Sequence, residues 1–372
     1  NNYLFNLMES AVKDSAWPGG VLLAVKNGNI FYHQSHGFHT YKRKKPVRSS
    51  DIFDLASITK VVSTTSGIMK LVDQNKIDID KPVVNYLPSF KGKKKKYQRQ
   101  KSKITIRDLL SHSSGLPAFK QYFKMEKTKE LIIESIYDTV PIRETGDTTI
   151  YSDVGAIMLG EIIEEVSRLP LDVFMDSMIF EPLGMTTTFF NPPKEKLKRV
   201  IPTEIDPKGN LIHGYVHDEN AHILGGIAGH AGLFSTAKDL AIFSQMMLNR
   251  GLYGWKRIFK QGTVDLFTNK ANSVPESSRC LGWDSPSGAS SGGVYLSDDS
   301  FGHGGYTGTT LWIDPENEII VVLLTNAVHP NRKNKDPKYF DWRHRIHSAV
   351  YEALSITEKN SNLKVRDRWI NN

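Results

Sequence analysis

Ser57 and Lys60 are the residues of this 372-residue sequence whose types and spacing most directly indicate chemistry. A separation of three residues on a helix places a hydroxyl and an amine on one face, within reach of each other. A serine hydroxyl is a poor nucleophile at neutral pH and needs a neighbouring base, a part that lysine can play when burial or nearby cations lower its pKa. The pair is therefore a candidate nucleophile with its activator.

The Ser-x-x-Lys pattern is weak by itself, and its surroundings must select the relevant copy. It also begins at three other serines, Ser10, Ser235 and Ser361. Only Ser57 follows a β-type run, residues 51–56, and precedes a helix of small and apolar residues, 61–69. A strand that leads into a helix N-terminus lets the helix dipole and free backbone N–H groups face a developing anion. The context therefore selects Ser57.

A tyrosine and an aspartate stand at the predicted start of a helix over 153–168. The phenol of Tyr151 could relay a proton to a leaving group, and the carboxylate of Asp153 could hold Lys60 through a charge-assisted hydrogen bond. Composition alone would make Tyr151 an aromatic residue of a helix boundary. Its interpretation as a proton relay depends on the other motifs.

A glycine-rich strand in the last third of the sequence carries His303, Gly304 and Gly305. Glycine weakens a strand because it has no side chain to pack, and it suits a place where a ligand approaches the backbone closely. A bulged edge strand is the alternative interpretation. The segment is a third candidate element of the site.

Strands and helices alternate in a way that predicts how these motifs are positioned. Strands at 21–25 and 30–33 flank an Asn-Gly turn, and successive antiparallel strands are predicted within 301–326, the last of them apolar throughout. Helical periodicity covers 3–16, 128–137, 153–168, 171–179, 236–250 and 340–354. Strands therefore lie at both ends of the sequence, with helices between them.

This order predicts an α/β (α+β) fold with one antiparallel sheet built from both termini, flanked by helices, and an inserted, mostly helical lobe. The expected division assigns 1–60 and 235–372 to the lobe with the sheet, and 61–234 to the helical lobe. We expect the active site to lie between the two lobes.

In chain order, Ser57-x-x-Lys60, Tyr151-x-Asp153 and His303-x-Gly305 resemble the motifs of the serine β-lactamase and penicillin-binding protein superfamily, in its class C β-lactamase-like branch. The resemblance covers nearly the whole chain and implies the β-lactamase/transpeptidase-like fold. Further stretches that look like this branch are 18–20, 109–116, 181–185 and 226–235. Residues 216–221 and 281–284 look closer still to low-molecular-weight penicillin-binding proteins and to domains fused behind bacterial glucosaminidases. The chain also resembles family VIII-type esterases.

The resemblance implies acyl transfer without a cofactor. Ser57 would attack a carbonyl, Lys60 and Tyr151 would move the protons, and water would release the acyl group. The oxyanion would lie between the backbone N–H groups of Ser57 and Tyr306, with His303 on the cleft wall. Asp153, Gly304 and Gly305 are further candidate substrate-binding residues. Separately, the loop of polar side chains around His217 could line the cleft, from which Asp218, Glu219 or Asn220 could reach the substrate.

Two departures from the family pattern bear on the substrate. Its β-lactamases usually carry Tyr-x-Asn and Lys-Thr-Gly, where this sequence has Asp153 and His303-Gly304-Gly305. Loss of an amide donor, a fixed cation and a hydroxyl removes groups suited to an acylamino side chain and a substrate carboxylate. The sequence therefore favours a cell-wall D-amino-acid peptide, as for a D,D-carboxypeptidase, or a small ester. Weak β-lactamase activity is an alternative.

One basic run accounts for the net charge of +8. From Lys91 to Lys103 the sequence holds eight Lys or Arg and no acid, and the remainder balances at 40 basic and 40 acidic residues. A solvated, mobile loop is the simplest interpretation, and a patch for anionic wall polymer or lipid headgroups is the functional one. Nucleic acid is disfavoured because only Tyr97 is available for stacking.

The composition, with 39% hydrophobic and 24% charged residues, predicts an ordinary globular protein with a large core. No segment approaches 18 consecutive apolar residues. The chain begins at Asn1 without a charged-then-apolar leader, so we expect any export signal to have been removed or to lie outside this sequence. The resemblance implies an extracytoplasmic location, periplasmic or in the envelope. Cys280 is the single cysteine and is expected to be structural.

Two other patterns compete with this interpretation. Residues 288–292 satisfy the nucleophile elbow Gly-x-Ser-x-Gly, which needs a strand before it and a helix after it. Here it lies in a Ser/Gly/Pro-rich segment with neither. His213, His217 and His222 could suggest a metal site, but Gly214 breaks the helix that ligation at i, i+4 requires. Neither pattern displaces Ser57.

A hypothesis from another class is a non-catalytic protein that binds wall peptide or penicillin. In that case Ser57 would be acylated slowly or not at all. The presence of Ser57, Lys60 and Tyr151 together argues against it, because a pure binding protein has no need of that set.

Overall fold

The computed structural model describes residues 2–125, 128–335 and 337–370. Its strands are β1 (Gly19–Lys26), β2 (Asn29–Gly37), β3 (Phe53–Asp54), β4 (Phe189–Phe190), β5 (Leu233–Ser235), β6 (Leu252–Tyr253), β7 (Lys256–Arg257), β8 (Phe301–Gly305), β9 (Thr309–Asp314) and β10 (Ile319–Thr325). Its α-helices are α1 (Asn2–Lys13), α2 (Ser66–Asp73), α3 (Lys95–Lys101), α4 (Ile106–Leu110), α5 (Lys129–Tyr137), α6 (Asp153–Ser167), α7 (Leu171–Met175), α8 (Glu181–Leu183), α9 (Glu219–Ile223), α10 (Ala237–Leu248), α11 (Gln261–Thr268) and α12 (Lys338–Glu352).

The main sheet of the described residues has the order β2-β1-β10-β9-β8 and is antiparallel throughout. In its centre β1 pairs with β10, with Val21 opposite Leu324 and Leu22 opposite Leu323. Successive side chains of a strand point to opposite faces, so the first pair packs into one apolar cluster and the second pair into another. The prediction of one antiparallel sheet built from the first and last parts of the sequence is confirmed.

Helices cover both faces of this sheet. Side chains of α1 and α12 belong to the apolar cluster on one face, and α10 packs against β10 and β1 on the other. The apolar cluster on the α10 side of the sheet continues through α2 and α6 into the helical part of the chain. The division at 60/61 and 234/235 stays a prediction, because this core runs across both boundaries.

The hairpin and the last strands show how local residue types set the boundaries. Asn27 and Gly28 join β1 to β2 with φ values of +50° and +73°, as a type I′ turn requires. Within the predicted strands of 301–326, the first strand, β8, ends at Gly305, and β9 begins at Thr309. Between them Gly308 has a φ of +116°, a backbone conformation that ends the first strand and turns the chain.

The basic run contains a short helix, α3, so the prediction of a mobile loop over its whole length is wrong. Lys101 is buried, and its ammonium donates to the carbonyl oxygen of Tyr137 and lies 4.5 Å from the centre of the Phe90 ring. Burial lowers the pKa of Lys101 to about 8. This single buried lysine fixes the helix to the core, while Lys91, residues 93–96, Arg99 and Lys103 are exposed.

Two further features agree with the sequence analysis. Cys280 is buried, its thiol lies 3.0 Å from the carbonyl oxygen of Thr268, and burial raises its pKa to about 12. Over the ranges that the structure describes, no helix is both long and apolar enough to cross a bilayer.

Candidate active site

Ser57 lies in a tight 3₁₀ turn, Ala56–Ile58, directly after β3. The carboxylate of Asp54 accepts the N–H of Ala56 at 2.8 Å and the N–H of His217 at 2.7 Å. Ala56 has a φ of +46°, a strained conformation for a residue with a side chain, and Asp54 holds it in place. The turn therefore presents Ser57 from a rigid backbone.

The helix after Ser57 begins differently from the regular α-helix that the sequence predicts. Lys60–Thr65 form a wider π-type segment before α2. The nucleophile and base candidates nevertheless stay together, with Lys60 Nζ 2.9 Å from Ser57 Oγ. A π-type segment interrupts regular helix geometry and is often found at functional sites.

Lys60 is enclosed by protein groups. Its side chain is 4% exposed, its ammonium lies 2.7 Å from Asp153 Oδ1, and it donates to the carbonyl oxygen of His230 at 3.0 Å. Burial alone would lower its pKa, but the charges and hydrogen bonds of Asp153 and Tyr151 outweigh burial and raise it. Lys60 is therefore an ammonium in the resting site, although the sequence analysis assumed a lowered pKa.

A glycine-rich loop allows the carbonyl of His230 to reach Lys60. A methyl group on Gly229 would lie 2.1 Å from the carbonyl oxygen of Ala156 on α6. Thr64, one turn after Lys60, donates to the carbonyl oxygen of Gly229 at 2.6 Å. The loop therefore passes between α6 and the helix of Lys60, which explains the glycines of the 226–235 stretch.

Tyr151 precedes α6 and lies between two cations. Its ring centre is 4.9 Å from Lys60 Nζ and 5.0 Å from the guanidinium carbon of Arg279. Burial raises the pKa of Tyr151, and the Lys60 charge only partly opposes this shift. Ser152 caps the helix by accepting the N–H of Gly155 at 3.1 Å, which fixes the residue before the helix.

Two neutral histidines border the Tyr151 ring. His112 lies 4.7 Å away between ring centres, and its Nδ1 accepts the N–H of Ser152 at 3.1 Å. His303 lies 5.8 Å away, and its Nδ1 donates to the carbonyl oxygen of Gly304 at 2.7 Å. Burial, followed by the charges of Arg279 and Lys60, lowers the pKa of His303 to about 3. His303 is thus an uncharged wall group at neutral pH.

The end of β8 packs directly against the nucleophile turn. A methyl group on Gly305 would lie 2.3 Å from the carbonyl oxygen of Leu55, so only glycine permits this approach. The hydroxyl of Thr309 donates to that same oxygen at 3.0 Å, and the hydroxyl of Thr307 donates to the carbonyl oxygen of Asp54 at 2.7 Å. These contacts place Tyr306 next to the turn that carries Ser57.

Two cavities meet at the reacting residues, and Ser57, Tyr151 and Tyr306 line both of them. The first has a volume of about 630 Å³ and extends along β8 and α12. The second has a volume of about 420 Å³ and extends along the 118–119 and 217–219 segments. Of the other predicted site residues, His303, Gly304 and Gly305 line the first cavity and Asp153 the second.

Asn220 does not take the predicted part in the site. Its amide donates to the carbonyl oxygen of Lys120 at 2.8 Å and accepts the N–H of Phe123 at 3.1 Å, and the residue is 2% exposed. Asn220 therefore positions the segment that carries Phe119 on the cavity wall. The prediction that it contacts substrate is wrong, because its amide is used by main-chain groups.

The histidines considered for a metal site have other partners. His213 bonds to the carbonyl oxygen of Val200, and His217 pairs with Glu204 at 2.9 Å. His222 packs on Tyr215. Across residues 2–125, 128–335 and 337–370, no three His, Cys, Asp or Glu side chains form a group that could hold a metal ion.

The Gly-x-Ser-x-Gly stretch at 288–292 lies in the long loop between α11 and β8, without the strand and helix of a nucleophile elbow. The serine of this pattern is Ser290, and its hydroxyl accepts the backbone N–H of Gly292 at 3.1 Å. Among the described residues no basic side chain hydrogen-bonds to that hydroxyl, so the structure gives Ser290 a backbone partner and no base. Ser57 remains the candidate nucleophile.

Several side chains around Ser57 are not among the predicted site residues, namely His112, Arg279, Arg332, Lys335 and Arg343. Most belong to no motif, and their contribution depends on how distant segments pack. For His112 a signal was present, because it lies within the 109–116 stretch that resembles the family. For the cations, only the fold brings them to one cavity.

The geometry can be compared with known proteins. The family model for beta-lactamase matches residues 4–345. An N-acetylmuramyl-L-alanine amidase from Bacillus subtilis is 35% identical over 91% of this chain and 86% of its own length. A protein from Salmonella typhimurium, provisionally named D-alanyl-D-alanine carboxypeptidase, is 35% identical over 85% of this chain and 80% of its own length.

Solved structures agree on the fold. A hydrolase with promiscuous acyltransferase activity superposes with a TM-score of 0.75 at 21% identity, over 94% of this chain and 98% of the other. A penicillin-binding protein homologue from Pyrococcus abyssi superposes with a TM-score of 0.74 at 23% identity, over 95% of this chain and 77% of the other. With the family match over most of its length, the chain belongs to the beta-lactamase family of serine hydrolases.

Proposed function

We propose that this chain hydrolyses an amide or ester of a cell-wall peptide through an acyl-enzyme formed on Ser57. The observation that carries the proposal is the contact of Ser57 Oγ with Lys60 Nζ at 2.9 Å, with Asp153 a further 2.7 Å from the same ammonium. A nucleophile within hydrogen-bond reach of a base, which is itself oriented by a third group, is the arrangement that covalent catalysis requires.

In the proposed acylation step, Ser57 Oγ bonds to the substrate carbonyl carbon and its proton passes to the Lys60 and Tyr151 pair. The backbone N–H groups of Ser57 and Tyr306 donate to the oxyanion of the tetrahedral intermediate. The carbon–leaving-group bond then breaks, and Tyr151 delivers the proton to the leaving group. In the second half of the reaction, water bonds to the acyl carbon and gives a proton to the Lys60 and Tyr151 pair. The bond between that carbon and Ser57 Oγ then breaks, the pair returns a proton to Ser57, and the acid is released.

The raised pKa of Lys60 makes the proposed acylation step depend on pH. An ammonium cannot accept a proton, so acylation needs the minority of molecules in which Lys60 has lost one. That fraction grows as the pH rises toward the raised pKa. The proposed activity should therefore increase with pH through the neutral range.

A wall peptide is favoured as substrate by the names of the two relatives, one an amidase of muramyl-L-alanine and the other provisionally a D-alanyl-D-alanine carboxypeptidase. Asp153 is occupied by Lys60 and cannot donate as an amide would, and His303 is uncharged at neutral pH. Both points support weak β-lactamase activity at most. A small ester is the second candidate substrate, because an acyl-enzyme site accepts either bond.

The test compares a fluorescent penicillin, a short-chain nitrophenyl ester, a D-Ala-D-Ala peptide and a muramyl-L-alanine peptide, with mass spectrometry of any adduct. Ser57→Ala is the control, since alanine fits the 3₁₀ turn. We expect turnover of at least one peptide, an adduct on Ser57, and loss of both in the control. An adduct without repeated turnover would support the non-catalytic binding protein, and an adduct elsewhere would contradict the proposal.

We also propose that the exposed cations between Lys91 and Lys103 contact an anionic wall polymer outside the cytoplasm. Among the described residues, Lys93 pairs with Glu134 at 3.3 Å, while Lys94, Lys95 and Lys96 have no carboxylate within ion-pair distance. Unneutralised surface charge attracts polyanions in a salt-dependent way. The extracytoplasmic location follows from the wall substrates that the relatives' names indicate.

A further inference from the structure

The first cavity has an unusual charge for a space of about 630 Å³. Five cationic side chains line it, namely Arg279, Arg332, Lys333, Lys335 and Arg343, against the single carboxylate of Asp284 among its described lining residues. Ser57 lies at the same cavity. A substrate that occupies it therefore meets a strongly positive wall beside the nucleophile.

Two of these cations are already paired. Arg279 forms an ion pair with Asp284. Arg332 donates to Glu204 at 2.7 Å and to Glu219 at 2.7 Å. Their charge is balanced within the protein, and they need no ligand.

Lys335 and Arg343 differ, because no carboxylate of the described chain lies within ion-pair distance of either. Lys335 is 6% exposed and donates to the carbonyl oxygen of Tyr306 at 2.6 Å. The guanidinium carbon of Arg343 lies 5.1 Å from the ring centres of both Tyr339 and Phe340, and its buried Nε has no hydrogen-bond partner. Aromatic faces attract a cation but do not cancel its charge.

Both cations lie along the strand that borders Ser57. A methyl group on Gly304 of β8 would lie 3.8 Å from Nη1 of Arg343. Lys335 bonds to Tyr306, the residue after β8, and its ammonium lies 3.7 Å from the Tyr306 ring centre. A substrate backbone bound beside β8 would pass between these two side chains.

An unpaired charge in a partly buried place is costly, and a bound anion removes that cost. Burial, followed by the charges of Arg343 and Arg332, lowers the pKa of Lys335 to about 8, which shows that the cluster repels its own charge. Among the described lining residues, Lys333, Lys335 and Arg343 have no carboxylate within ion-pair distance. A ligand with more than one negative group balances these three charges better than a single carboxylate does.

We propose that Lys335 and Arg343 form an anion subsite that selects peptides with two or more free carboxylates near the scissile bond. The proposal rests on the proposed function of Ser57 and names its substrate class. The subsite would also supply the positive charge that the lysine of the Lys-Thr-Gly motif has in the family's β-lactamases, where this chain has His303. His303 supplies no charge, and the positive groups come instead from the 332–335 turn and from α12.

The experiment uses two peptides of one length and one ester. The first peptide ends in D-Ala-D-Ala with a free terminal carboxylate and has one acidic side chain, the second is the same peptide with that side chain amidated, and the ester is a neutral nitrophenyl ester. The measured quantity is the ratio of kcat/KM on the diacid to kcat/KM on each other substrate. We expect the wild type to prefer the diacid, and Arg343→Met to lower the diacid-to-ester ratio about 10- to 100-fold.

Two more variants complete the design. Arg343→Lys keeps the charge and should restore part of the preference. Lys338→Met removes a positive charge from the same helix at an exposed site paired with Asp14, outside the first cavity, and should leave the ratios unchanged. Circular dichroism and thermal melting establish that each variant is folded.

Calorimetric binding of the diacid and its amidated form to Ser57→Ala separates this proposal from the proposed function. Preferential binding of the diacid supports the subsite even when the wild type turns over no peptide, a result that would sink the function instead. Equal binding of both peptides, or an unchanged ratio in folded Arg343→Met, overturns the subsite.

Discussion

The two walls of the cleft treat charge in opposite ways. On the wall next to α6, Lys60 is paired with Asp153, and His230 is paired with Asp218 at 2.8 Å. On the wall formed by α12 and the 332–335 turn, Lys335 and Arg343 keep their charge without a carboxylate of the described chain. The charges on the first wall are paired within the protein, whereas those of Lys335 and Arg343 would be balanced by a bound anion.

This difference separates two tasks. Paired groups held by the fold have fixed positions and protonation states, which suits proton transfer and oxyanion stabilisation. Asp218 illustrates the point: burial opposes its ionisation, yet His230 and the N-terminus of α9 hold its pKa well below the usual range. Unpaired cations gain most from a ligand, which suits recognition. In the proposed mechanism, proton transfer belongs to the wall next to α6, and substrate selection belongs to the wall formed by α12 and the 332–335 turn.

Tyr151 lines both cavities, and the loss of its phenol should have the largest effect among the following changes. Tyr151→Phe keeps the ring between Lys60 and Arg279 and removes the hydroxyl that we propose as the proton relay. We expect kcat/KM to fall about 10²- to 10⁴-fold on peptide and ester alike, because general acid–base catalysis contributes that much. Steady-state kinetics on both substrates measure it. A loss confined to the peptide would assign Tyr151 to the recognition wall instead.

Gly305→Ala tests whether β8 must pack closely against the turn that carries Ser57. The added methyl would lie 2.1 Å from the hydroxyl of Thr309, so β8 must move away from the nucleophile turn. We expect kcat to fall about 100-fold, since small displacements of catalytic groups have effects of this size. Gly304→Ala is the matched control, with no atom closer than 3.8 Å to its methyl, and should lose much less. Equal losses in the two variants would contradict the proposed oxyanion geometry.

Asp153→Asn tests whether the paired wall controls the base. The carboxylate is the main group that raises the pKa of Lys60, and without it burial acts to lower that pKa. The rising limb of the pH dependence of kcat/KM should therefore move to lower pH, and activity at neutral pH should rise severalfold or more, because a larger fraction of Lys60 is then deprotonated. Ester hydrolysis followed from about pH 5 to about pH 9 gives the profile. An unmoved limb would mean that another group titrates.

The basic surface outside the cleft should show the smallest effect on turnover. Replacing Lys94, Lys95 and Lys96 by glutamine removes three exposed charges that lie in neither cavity. We expect weaker binding to a polyanion, by about tenfold or less at physiological salt, with unchanged ester hydrolysis. Sedimentation with an anionic polymer at two salt concentrations checks this. Altered ester kinetics would show that this surface is coupled to the cleft.

Much of the reacting group could be predicted because its geometry is local. The three-residue spacing keeps Ser57 and Lys60 adjacent although the helix is not regular, because Ser57 lies in a 3₁₀ turn, in which side chains three positions apart lie above one another. The cap that Ser152 forms on Gly155 is likewise local, and it sets the start of α6 two residues after Tyr151. The fold class followed from strands at both ends of the sequence.

The rest depends on long-range packing. Nothing near Arg343 in sequence shows that it faces the β8 strand, and nothing near Asn220 shows that the 120–123 backbone uses its amide. The sign of the Lys60 pKa shift depends on a carboxylate 93 positions away, brought to 2.7 Å by the fold. Such properties arise from tertiary contacts, and no local pattern carries them.

The hydrogen bond from Thr307 to the backbone of Asp54 joins residues 253 positions apart. At about 5–20 residues per second, a ribosome makes the second partner roughly 10–50 s after the first. During that interval the nucleophile turn exists without the strand that completes it. Closing so long a loop also makes this contact slow to form in refolding. We therefore expect a growing chain to be inactive until its last third is made, and recovery of hydrolysis in refolding to report the formation of this long-range contact.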